Sequence, residues 1–565
     1  MNSAIAILES LKREGVDVVF GYPGGSVIPL YDALYDFDLD HILTRHEQGA
    51  AHAADGYARA SGKVGVCIAT SGPGATNLTT GIANAYLDSV PLVAITGQVR
   101  RPLIGTDAFQ EADVTGITLP IVKHSYLVKR AEDLPAIIHE AFYIAGTGRP
   151  GPVVVDIPVD LTTMDLDFDF EAAQKIDLPG YKPTIKGHPK QIKAAAQAIA
   201  EAQRPVIFAG GGVISANASD ELRELAVYAH IPVTTSLTGI GSFPEDHEEL
   251  SLGMLGMHGT RYANYAVTGC DLILGVGVRF DDRVTGKIST FAPGAKVVHI
   301  DIDPAEISKN VAVDIPIVGD AKRVLADLLT QLKKHELSPE RHLPWMRQVA
   351  DWKRAHPMVF KQEEDGEIMP EYVVHMISEI TKGEAIICTE VGQNQMWAAQ
   401  YSRIKHPRHF ISSGGLGTMG FGFPAAIGAK VARPDKTVVD IAGDGSIQMN
   451  IQELGTAMNY RIPVKVCILN NQYLGMVRQW QDLFWNKRYS ATCMACQPDF
   501  VKLAEAYGAQ GFRATKADEV EEVLRVAFAS DEPALIDFRI KRESNVWPMV
   551  PTGGSIGEMM GEGDR

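Results

Sequence analysis

The sequence has no uncharged apolar run approaching the roughly 20 residues that a helix needs to cross a bilayer. Its first twenty residues, MNSAIAILESLKREGVDVVF, lack the basic region, apolar core and cleavage site of a secretion signal, and they are typical of a short amphipathic helix that leads into a strand. These absences predict a protein that has no membrane partner and is located in the cytoplasm.

Cysteine and basic clusters are also scarce. The six cysteines are scattered, mostly within apolar runs, which favours buried thiols in a reducing compartment over a disulfide framework. Cys493 and Cys496 form a CxxC pair, but no second pair or paired histidines lie nearby, so a zinc site is disfavoured. A formal net charge of −16 without a lysine-rich block argues against nucleic acid as a partner.

The length and composition of the chain are those of an ordinary globular protein. The chain has 565 residues, of which 45% are hydrophobic and 22% charged, enough for about three or four domains. Apolar β-branched runs alternate with longer helical patterns, which is typical of α/β domains with parallel sheets. We therefore predict an α/β fold of three domains, residues 1–170, 188–340 and 365–540, each with a mainly parallel central sheet flanked by helices, followed by a tail, 541–565.

One carboxylate lies at the end of a predicted strand. In TVVDIAGDGS, Asp444 stands between two glycines where the strand stops, and the next strand, PVKVCILNN, ends in Asn470 and Asn471. Neighbouring strands of a parallel sheet end at one edge, so a carboxylate and an amide oxygen can meet there and form a Mg²⁺ site that leaves room for phosphate oxygens. The alternative is a tight turn with a capping aspartate.

A second carboxylate, Glu47, begins a helix rich in small residues, AAHAADGYARA. A glutamate in the first turn can simply complement the helix dipole. However, the face of alanine and glycine predicts close packing against another subunit or a flat ring, which would bury Glu47. A buried carboxylate costs several kcal/mol unless a partner satisfies it.

A literal GxGxxG motif occurs at GLGTMG, residues 415–420, with Asp440 about where a ribose-binding acid would be expected. The preceding ISSG is a poor strand, and Asp440 lies within a predicted strand rather than at its end. A dinucleotide site at this motif is therefore disfavoured.

These motifs together resemble one family. GDG followed by NN, with RHEQGAAHAADGYAR upstream, looks like a thiamine diphosphate enzyme, and YPGGS, SGPGATN, GTDAFQE, VKHSYLV, GMHGT, GVRFDDRVTGK, GQNQMWAAQ and LGMVRQW resemble acetohydroxyacid synthase, the large catalytic subunit of acetolactate synthase. The resemblance runs from about residue 21 to the C-terminal PMVPTGG. It implies an enzyme that decarboxylates pyruvate and joins the two-carbon fragment to a second pyruvate or to 2-ketobutyrate, the first common step of branched-chain amino acid biosynthesis.

The resemblance implies roles for residues around thiamine diphosphate. The first domain would bind the pyrimidine ring through Glu47, the third domain would bind the diphosphate and Mg²⁺, and the tail would lie near the active site. The implied metal ligands are Asp444, Asn471 and the carbonyl of Tyr473. The other implied contacts to this cofactor are Gly417, Met419, Gln393, Asn394, Gly445, Ser446 and Gly475.

It also implies residues near the reacting atoms. Gly25 and Gln110 would lie near developing oxyanions, an electrostatic role. The implied substrate funnel consists of Phe109, Lys123, Arg283, Met476 and Trp480, although Phe109 and Met476 could instead be core residues. In QVRRPLIG, Arg100 and Pro102 depart from the plant pattern, which has proline and arginine there.

The middle domain resembles the FAD domain of the family, in which the flavin has a mainly structural role. The implied FAD contacts are Arg149, Gly211, Gly212, His258, Gly277, Arg279, Asp301 and Asp320. The implied assembly is a homodimer or homotetramer with active sites at the subunit interface, bound by a small regulatory subunit. The alternatives are a flavin-dependent pyruvate oxidase, a catabolic acetolactate synthase without FAD, and a cofactor-binding homologue without catalysis.

Overall fold

The computed structural model describes residues 1–335, 337–338, 340–364 and 366–562, and it contains three parallel six-stranded sheets flanked by helices. The predicted fold class is confirmed. Residue 365, the predicted start of the third domain, lies outside the described residues, as do positions 336 and 339 of the predicted middle domain and 563–565 of the predicted tail.

The first sheet has the strand order β2-β1-β3-β4-β6-β5. Its strands β1 to β6 are Val18–Tyr22, Asp40–Leu43, Gly65–Ala69, Leu92–Gln98, His124–Leu127 and Pro152–Pro158. The helices of this part, α1 to α8, are Ser3–Arg13, Ile28–Tyr35, Glu47–Ser61, Pro73–Asn77, Thr79–Leu87, Val114–Thr118, Leu134–Gly146 and Phe170–Ala173. Every residue of β4 and β6 is buried, as expected for strands with helices on both faces.

The second sheet, read from one edge, has the order β9-β8-β7-β10-β11-β12, which is the order of dinucleotide-binding sheets. Its strands β7 to β12 are Pro205–Ala209, Val233–Thr235, Ser251–Met254, Leu272–Val276, Lys296–Asp301 and Ile315–Val318. The helices α9 to α15 are Pro189–Glu201, Gly211–Ser215, Ser219–Ala229, Arg261–Gly269, Asp282–Thr285, Ala321–Leu332 and Leu343–Ala355.

The third sheet, β14-β13-β15-β16-β18-β17, repeats the strand order of the first sheet. Its strands β13 to β18 are Ile386–Thr389, Phe410–Ser412, Val438–Gly443, Lys465–Asn470, Gln510–Ala514 and Ala534–Arg539. The helices α16 to α22 are Pro370–Thr381, Gln393–Tyr401, Gly422–Ala432, Leu454–Asn459, Gly475–Phe484, Phe500–Tyr507 and Val520–Ala529.

The small-residue face of α3 packs against α18 of the same chain. A Cβ atom at Gly428 would lie 1.8 Å from the carbonyl oxygen of Ala53, and one at Gly56 would lie 2.1 Å from that of Ala425. The face predicted for another subunit or a flat ring is therefore occupied within this chain, because glycines on both helices let the backbones touch. The helix begins at Glu47 because His46 caps it through Nδ1, and it ends before Gly62, which has a φ of 78°.

Two further expectations can be compared with the fold. The segment ISSG was predicted to be a poor strand, but Phe410–Ser412 forms β14, because the edge position needs pairing to β13 alone. Cys67, Cys270, Cys388 and Cys467 are buried, whereas Cys493 and Cys496 are exposed. Within the described part of the chain, no helix is both long and apolar enough to span a membrane.

Candidate active site

The carboxyl edge of the third sheet brings Asp444 and Asn471 together. Strands β15 and β16 pair in parallel with Gly443 opposite Leu469, so both side chains follow neighbouring strand ends. The backbone N–H of Asn471 lies beside the Asp444 carboxylate and acts to lower its pKa. The adjacency predicted from the two sequence motifs is therefore present in the structure.

Asp444 is suited to a cation because its second carboxylate oxygen is buried without a partner. Its side chain is buried, and among the described residues no donor reaches Oδ2. Burial raises the pKa of Asp444 to about 7, and the N–H of Asn471 only partly opposes this rise. A capping aspartate would have both oxygens satisfied or solvated, so the unpaired oxygen favours a ligand over the capping alternative.

The residues predicted to meet a diphosphate surround this pair. The amide oxygen of Gln393 accepts from Asn471 Nδ2 at 3.1 Å, and Ser446 Oγ accepts from the N–H of Gly443 at 3.1 Å. A Cβ atom at Gly475 would lie 2.0 Å from Gln393 Oε1, so the start of α20 approaches this edge closely. Asn394, Gly445 and Tyr473 lie on the same turns, within three residues of these positions. The donor set of one carboxylate, one amide oxygen and backbone groups fits Mg²⁺ with phosphate oxygens.

The first sheet presents Glu47 at its own carboxyl edge. Glu47 is buried, and its Oε2 accepts a hydrogen bond of 2.9 Å from Asn77 Nδ2. A Cβ atom at Gly74 would lie 3.3 Å from Glu47 Oε1, so this glycine keeps space beside the carboxylate. If Glu47 only complemented the dipole of α3, its carboxylate would face solvent, which the structure contradicts.

Gly25 and Gln110 belong to this edge as well. Gly25 follows β1, and the adjacent Ser26 hydroxyl bonds the Thr70 hydroxyl at 2.9 Å across the turn that follows β3. Gly72, in that turn, has a φ of +61°, and a Cβ atom there would lie 2.9 Å from the Cα of Gln110. The structure therefore brings the predicted residues of the first domain into one cluster, apart from two.

Phe109 and Lys123 are the two predicted residues of the first domain that lie outside this cluster. Phe109 is 89% exposed, which excludes the alternative that it is a core residue. The Lys123 ammonium donates to the carbonyl of Thr147 at 2.8 Å and to the hydroxyl of Tyr181 at 2.9 Å, and burial lowers its pKa to about 7. These contacts hold Lys123 at the end of α7 and give it no contact with Glu47 or Gln110. Its place in a substrate funnel stays a prediction.

Residues 413–420 form a strap between β14 and α18 that carries Gly417 and Met419. Gly417 has a φ of +71°, and a Cβ atom there would meet no heavy atom within 4 Å, so its backbone borders open space. The strap is anchored at both ends: Asp88 accepts from the N–H groups of Gly414 at 2.9 Å and Gly415 at 2.6 Å, and Glu390 accepts from Gly420 N–H at 2.6 Å.

These anchors were missed by the sequence reasoning. Asp88 follows α5 and Glu390 follows β13, and both lie far in sequence from the strap. A carboxylate at a strand end, as in TEVG, is a signal that could have found Glu390. Nothing local marks Asp88, which also pairs with Arg59 at 2.9 Å. Asp440, proposed and rejected as a ribose ligand, lies inside β15 and is buried.

The strap borders a cavity of about 1020 Å³ that also reaches α20 and the second sheet. Arg283, Met476 and Trp480 line it, and the Arg283 guanidinium lies 5.8 Å from the centre of the Trp480 indole ring. Met476 is therefore a half-buried residue that lines the cavity and also packs against the core of the third sheet. Gly25, Glu47, Phe109, Gln110 and Lys123 are not among the described residues that line this cavity.

The other end of the cavity lies at the switch point between β7 and β10. The predicted residues that line it are Arg149, Gly211, Gly212, His258, Gly277, Arg279, Asp301 and Asp320. A Cβ atom at Gly212 would lie 2.6 Å from the Cα of Gly277, so these glycines let the start of α10 approach the end of β10 closely. This arrangement fits a dinucleotide, which binds where the strand order reverses.

Charged groups at this end are partly paired with one another. Arg149 contacts Glu306 at 2.6 Å and Asp303 at 3.2 Å, and burial raises the pKa of Asp301 to about 7. Burial lowers the pKa of His258 to about 4, and no described group bonds its Nδ1. An unpaired ring nitrogen on the cavity wall is consistent with a ligand there.

Comparison with known proteins agrees with this geometry. Family models of thiamine pyrophosphate enzymes match three parts of the chain: the N-terminal TPP binding domain matches residues 1–117, the central domain 192–328 and the C-terminal TPP binding domain 390–538.

Three relatives match nearly the whole chain. The probable acetolactate synthase large subunit of Methanocaldococcus jannaschii is 55% identical over 564 residues, which covers 98% of this chain and 94% of that protein. The acetolactate synthase large subunit of Haemophilus influenzae is 51% identical, with 99% and 98% covered. The acetolactate synthase of Mycobacterium bovis is 51% identical, with 99% and 91% covered.

Proposed function

Because the chain belongs to the acetolactate synthase family of thiamine diphosphate enzymes, we propose that its two sheet edges and its cavity together form the site of 2-acetolactate synthesis. The chain is an acetolactate-forming enzyme, and the family predicted from the sequence is confirmed. The observation that carries the site proposal is the buried, unpaired carboxylate oxygen of Asp444 beside Asn471.

The substrate is pyruvate, and the acceptor of its two-carbon fragment is a second pyruvate or 2-ketobutyrate. Arg283 supports this choice, since a cation on the cavity wall suits the carboxylate of a 2-ketoacid. Bound thiamine diphosphate supplies the nucleophilic carbon that takes up the two-carbon fragment when CO₂ leaves.

Mg²⁺ and the cofactor diphosphate would be held at the third sheet. Asp444, the amide oxygen of Asn471 and the carbonyl of Tyr473 would ligate the metal ion. Gln393, Asn394, Gly445, Ser446 and Gly475 would contact the diphosphate. Burial excludes water from this edge, which strengthens each charge contact there.

The pyrimidine ring would lie between Glu47 and the strap. The Glu47 carboxylate would hold and return a proton, Met419 would support the ring, and the Gly417 carbonyl would accept a hydrogen bond. Gly25 and Gln110 would donate to oxygens that gain charge during the reaction.

Completion of the site by a second copy is supported by the separation of two groups of residues. Glu47, Gly25 and Gln110 form one cluster, whereas Gly417 and Met419 face a cavity whose described lining does not include that cluster. A homodimer, or a homotetramer built from it, would bring one copy's cluster to the partner's cavity.

The second sheet would bind FAD in a mainly structural role, through the switch-point residues described above. With the domain limits predicted from the sequence, residues 1–170 would bind the pyrimidine, residues 188–340 would bind the FAD, and residues 365–540 would bind the diphosphate and Mg²⁺. The tail, 541–565, would lie near the active site. The relatives named as large subunits support a small regulatory subunit as a further partner. The expected location is the cytoplasm.

One assay tests this function. Purified protein with pyruvate, Mg²⁺ and thiamine diphosphate should form acetolactate without oxygen uptake, and omission of Mg²⁺ after chelation should stop product formation. Oxygen consumption in proportion to pyruvate loss would instead support a pyruvate oxidase. Release of flavin on denaturation, with a spectrum of FAD, would support the second-sheet site.

Trp480→Leu should reduce the preference for 2-ketobutyrate over pyruvate as acceptor by about tenfold. The two acceptors differ by one methylene, whose burial contributes about 0.8 kcal/mol, and the indole face that Arg283 covers can increase this through fit. The measurement is the ratio of acetohydroxybutyrate to acetolactate with both acceptors present.

The matched control for this prediction is Trp485→Leu. Trp485 follows the same helix, is 66% exposed and does not line the cavity of about 1020 Å³, although it shares with Trp480 a second, more open pocket of about 1050 Å³. An unchanged product ratio in Trp480→Leu, or an equal change in both variants, would mean that Trp480 only packs.

A further inference from the structure

Gln479 is a fully buried amide on α20 that the reaction described above does not use. Its Oε1 accepts from the backbone N–H of Val546 at 2.8 Å, and its Nε2 donates to the Val546 carbonyl at 3.1 Å. A backbone N–H can only donate and a carbonyl can only accept, so these two contacts fix which end of the amide is oxygen. The tail therefore sets the orientation of Gln479.

Gln479 in turn fixes the amide orientation of Gln393. The Nε2 of Gln393 donates to Gln479 Oε1 at 2.9 Å and to the carbonyl of Ser544 at 2.9 Å. Both partners are acceptors at this point, so Gln393 must present its nitrogen to the tail and its oxygen to the opposite side. Gln393 is itself buried, so no water substitutes for either partner without cost.

The chain of amide hydrogen bonds from Gln479 through Gln393, which we call the relay, ends on Asn471. The oxygen of Gln393 accepts from Asn471 Nδ2 at 3.1 Å, and the Asn471 oxygen accepts from the N–H of Tyr473 at 3.1 Å. The amide of Asn471 thus has its nitrogen held by the relay, which leaves its oxygen toward Tyr473. A flipped Asn471 would present an N–H₂ group, which cannot ligate a metal ion.

We propose that Gln479 is a positioning residue that couples the C-terminal segment 544–546 to the metal site, by holding Gln393 and Asn471 in the one amide orientation that gives Mg²⁺ an oxygen ligand. The inference rests on the proposed metal site at Asp444 and Asn471. This role for α20 and the tail is distinct from substrate contact, since Gln479 is buried and is not among the described residues that line the cavity.

The first test is the affinity for Mg²⁺ at saturating thiamine diphosphate, measured by isothermal titration calorimetry on the full chain. Gln479→Met, of nearly the same shape, should weaken Mg²⁺ binding about tenfold, as is usual when the partner of a metal ligand is removed. Gln479→Asn keeps an amide in the same space but cannot reach both neighbours, so it should weaken binding in the same direction while sparing the fold. Native-like affinity in both variants would overturn the proposal.

A matched control comes from Gln400, which also holds the tail. Its Nε2 donates to the carbonyls of Trp547 at 3.2 Å and His258 at 2.9 Å, and it has no bond to Gln393. Gln400→Met should leave the Mg²⁺ affinity within about twofold, because loosening of the tail alone does not turn the Asn471 amide. A tenfold loss in this control would show that docking of the tail, rather than the relay, controls the site.

A double-mutant cycle shows whether Gln479 affects Mg²⁺ binding through the relay or through general packing. In a Gln393→Met background, Gln479→Met should cause no further loss of Mg²⁺ affinity, because the link to Asn471 is already cut. Additive losses would overturn the proposal. Asp444→Ala shows whether the relay or the metal site itself has been misassigned. If this variant binds Mg²⁺ and thiamine diphosphate normally, the proposed site is wrong. If Asp444→Ala loses binding while the Gln479 variants bind normally, only the relay is wrong.

Discussion

Glu47→Gln lowers the rate of acetolactate formation by about 100-fold or more while thiamine diphosphate affinity changes little, because proton transfer by a positioned side chain contributes about 10²- to 10⁴-fold. The glutamine keeps the shape of Glu47 and can keep the contact with Asn77, whose amide lies at 2.9 Å from the carboxylate. It has no carboxylate oxygen to take up a proton. The measurements are the initial rate at saturating pyruvate and the cofactor dissociation constant.

The control for this variant is Glu245→Gln. Glu245 is a half-buried glutamate that accepts from the N–H of Ile404 at 2.9 Å, and desolvation raises its pKa to about 8. Since desolvation favours the neutral form of that carboxyl, an amide should replace it with less than about a threefold change in rate. Parallel loss of rate and of cofactor binding in Glu47→Gln would assign Glu47 to binding rather than to proton transfer.

Asp444→Ala abolishes Mg²⁺-dependent binding of thiamine diphosphate, which is the second large effect. Asp444 is the one carboxylate of the proposed metal ligands, and its loss removes the charge that attracts the cation. Asp444→Asn keeps a neutral oxygen at the same point, so it should bind more weakly than the native chain and more tightly than Asp444→Ala. Calorimetric titration of each variant with cofactor, at fixed Mg²⁺, measures the series.

The fold of these variants should survive. Oδ2 of Asp444 is buried without a partner among the described residues, so in the absence of metal the carboxylate disfavours the folded state. Cofactor-free Asp444→Asn is therefore expected to unfold at a temperature equal to or above that of the native chain. A lower melting temperature, or an unchanged cofactor affinity in Asp444→Ala, would mean that the metal site lies elsewhere.

The sequence was informative wherever the chemistry depends on the end of a strand. Asp444 and Asn471 could be placed side by side because parallel strands end at one edge, and the pairing of β15 with β16 does bring them together. Glu47 could be placed because a helix start is a local pattern, capped here by His46. Both predictions required only the local sequence pattern around each residue.

The sequence was uninformative where one segment is held by another far away. The surface that covers α3 was predicted to be another subunit or a ring, because small residues indicate close packing but do not identify the partner. The strap at 413–420 is anchored by Asp88, and Gln479 contacts Val546, which is 67 residues further along the chain. Such contacts depend on how the three sheets pack, and no periodicity in the chain encodes that.

The repeated strand order of the first and third sheets has an electrostatic consequence. Two carboxylates at a single sheet edge would raise each other's pKa by like-charge repulsion, which would couple their titrations. Here Glu47 stands on one sheet beside Asn77, whereas Asp444 stands on the other beside Asn471. The repetition thus places the carboxylate proposed to exchange a proton and the carboxylate proposed to hold a cation at the ends of different sheets, so each can be tuned by substitutions around its own sheet.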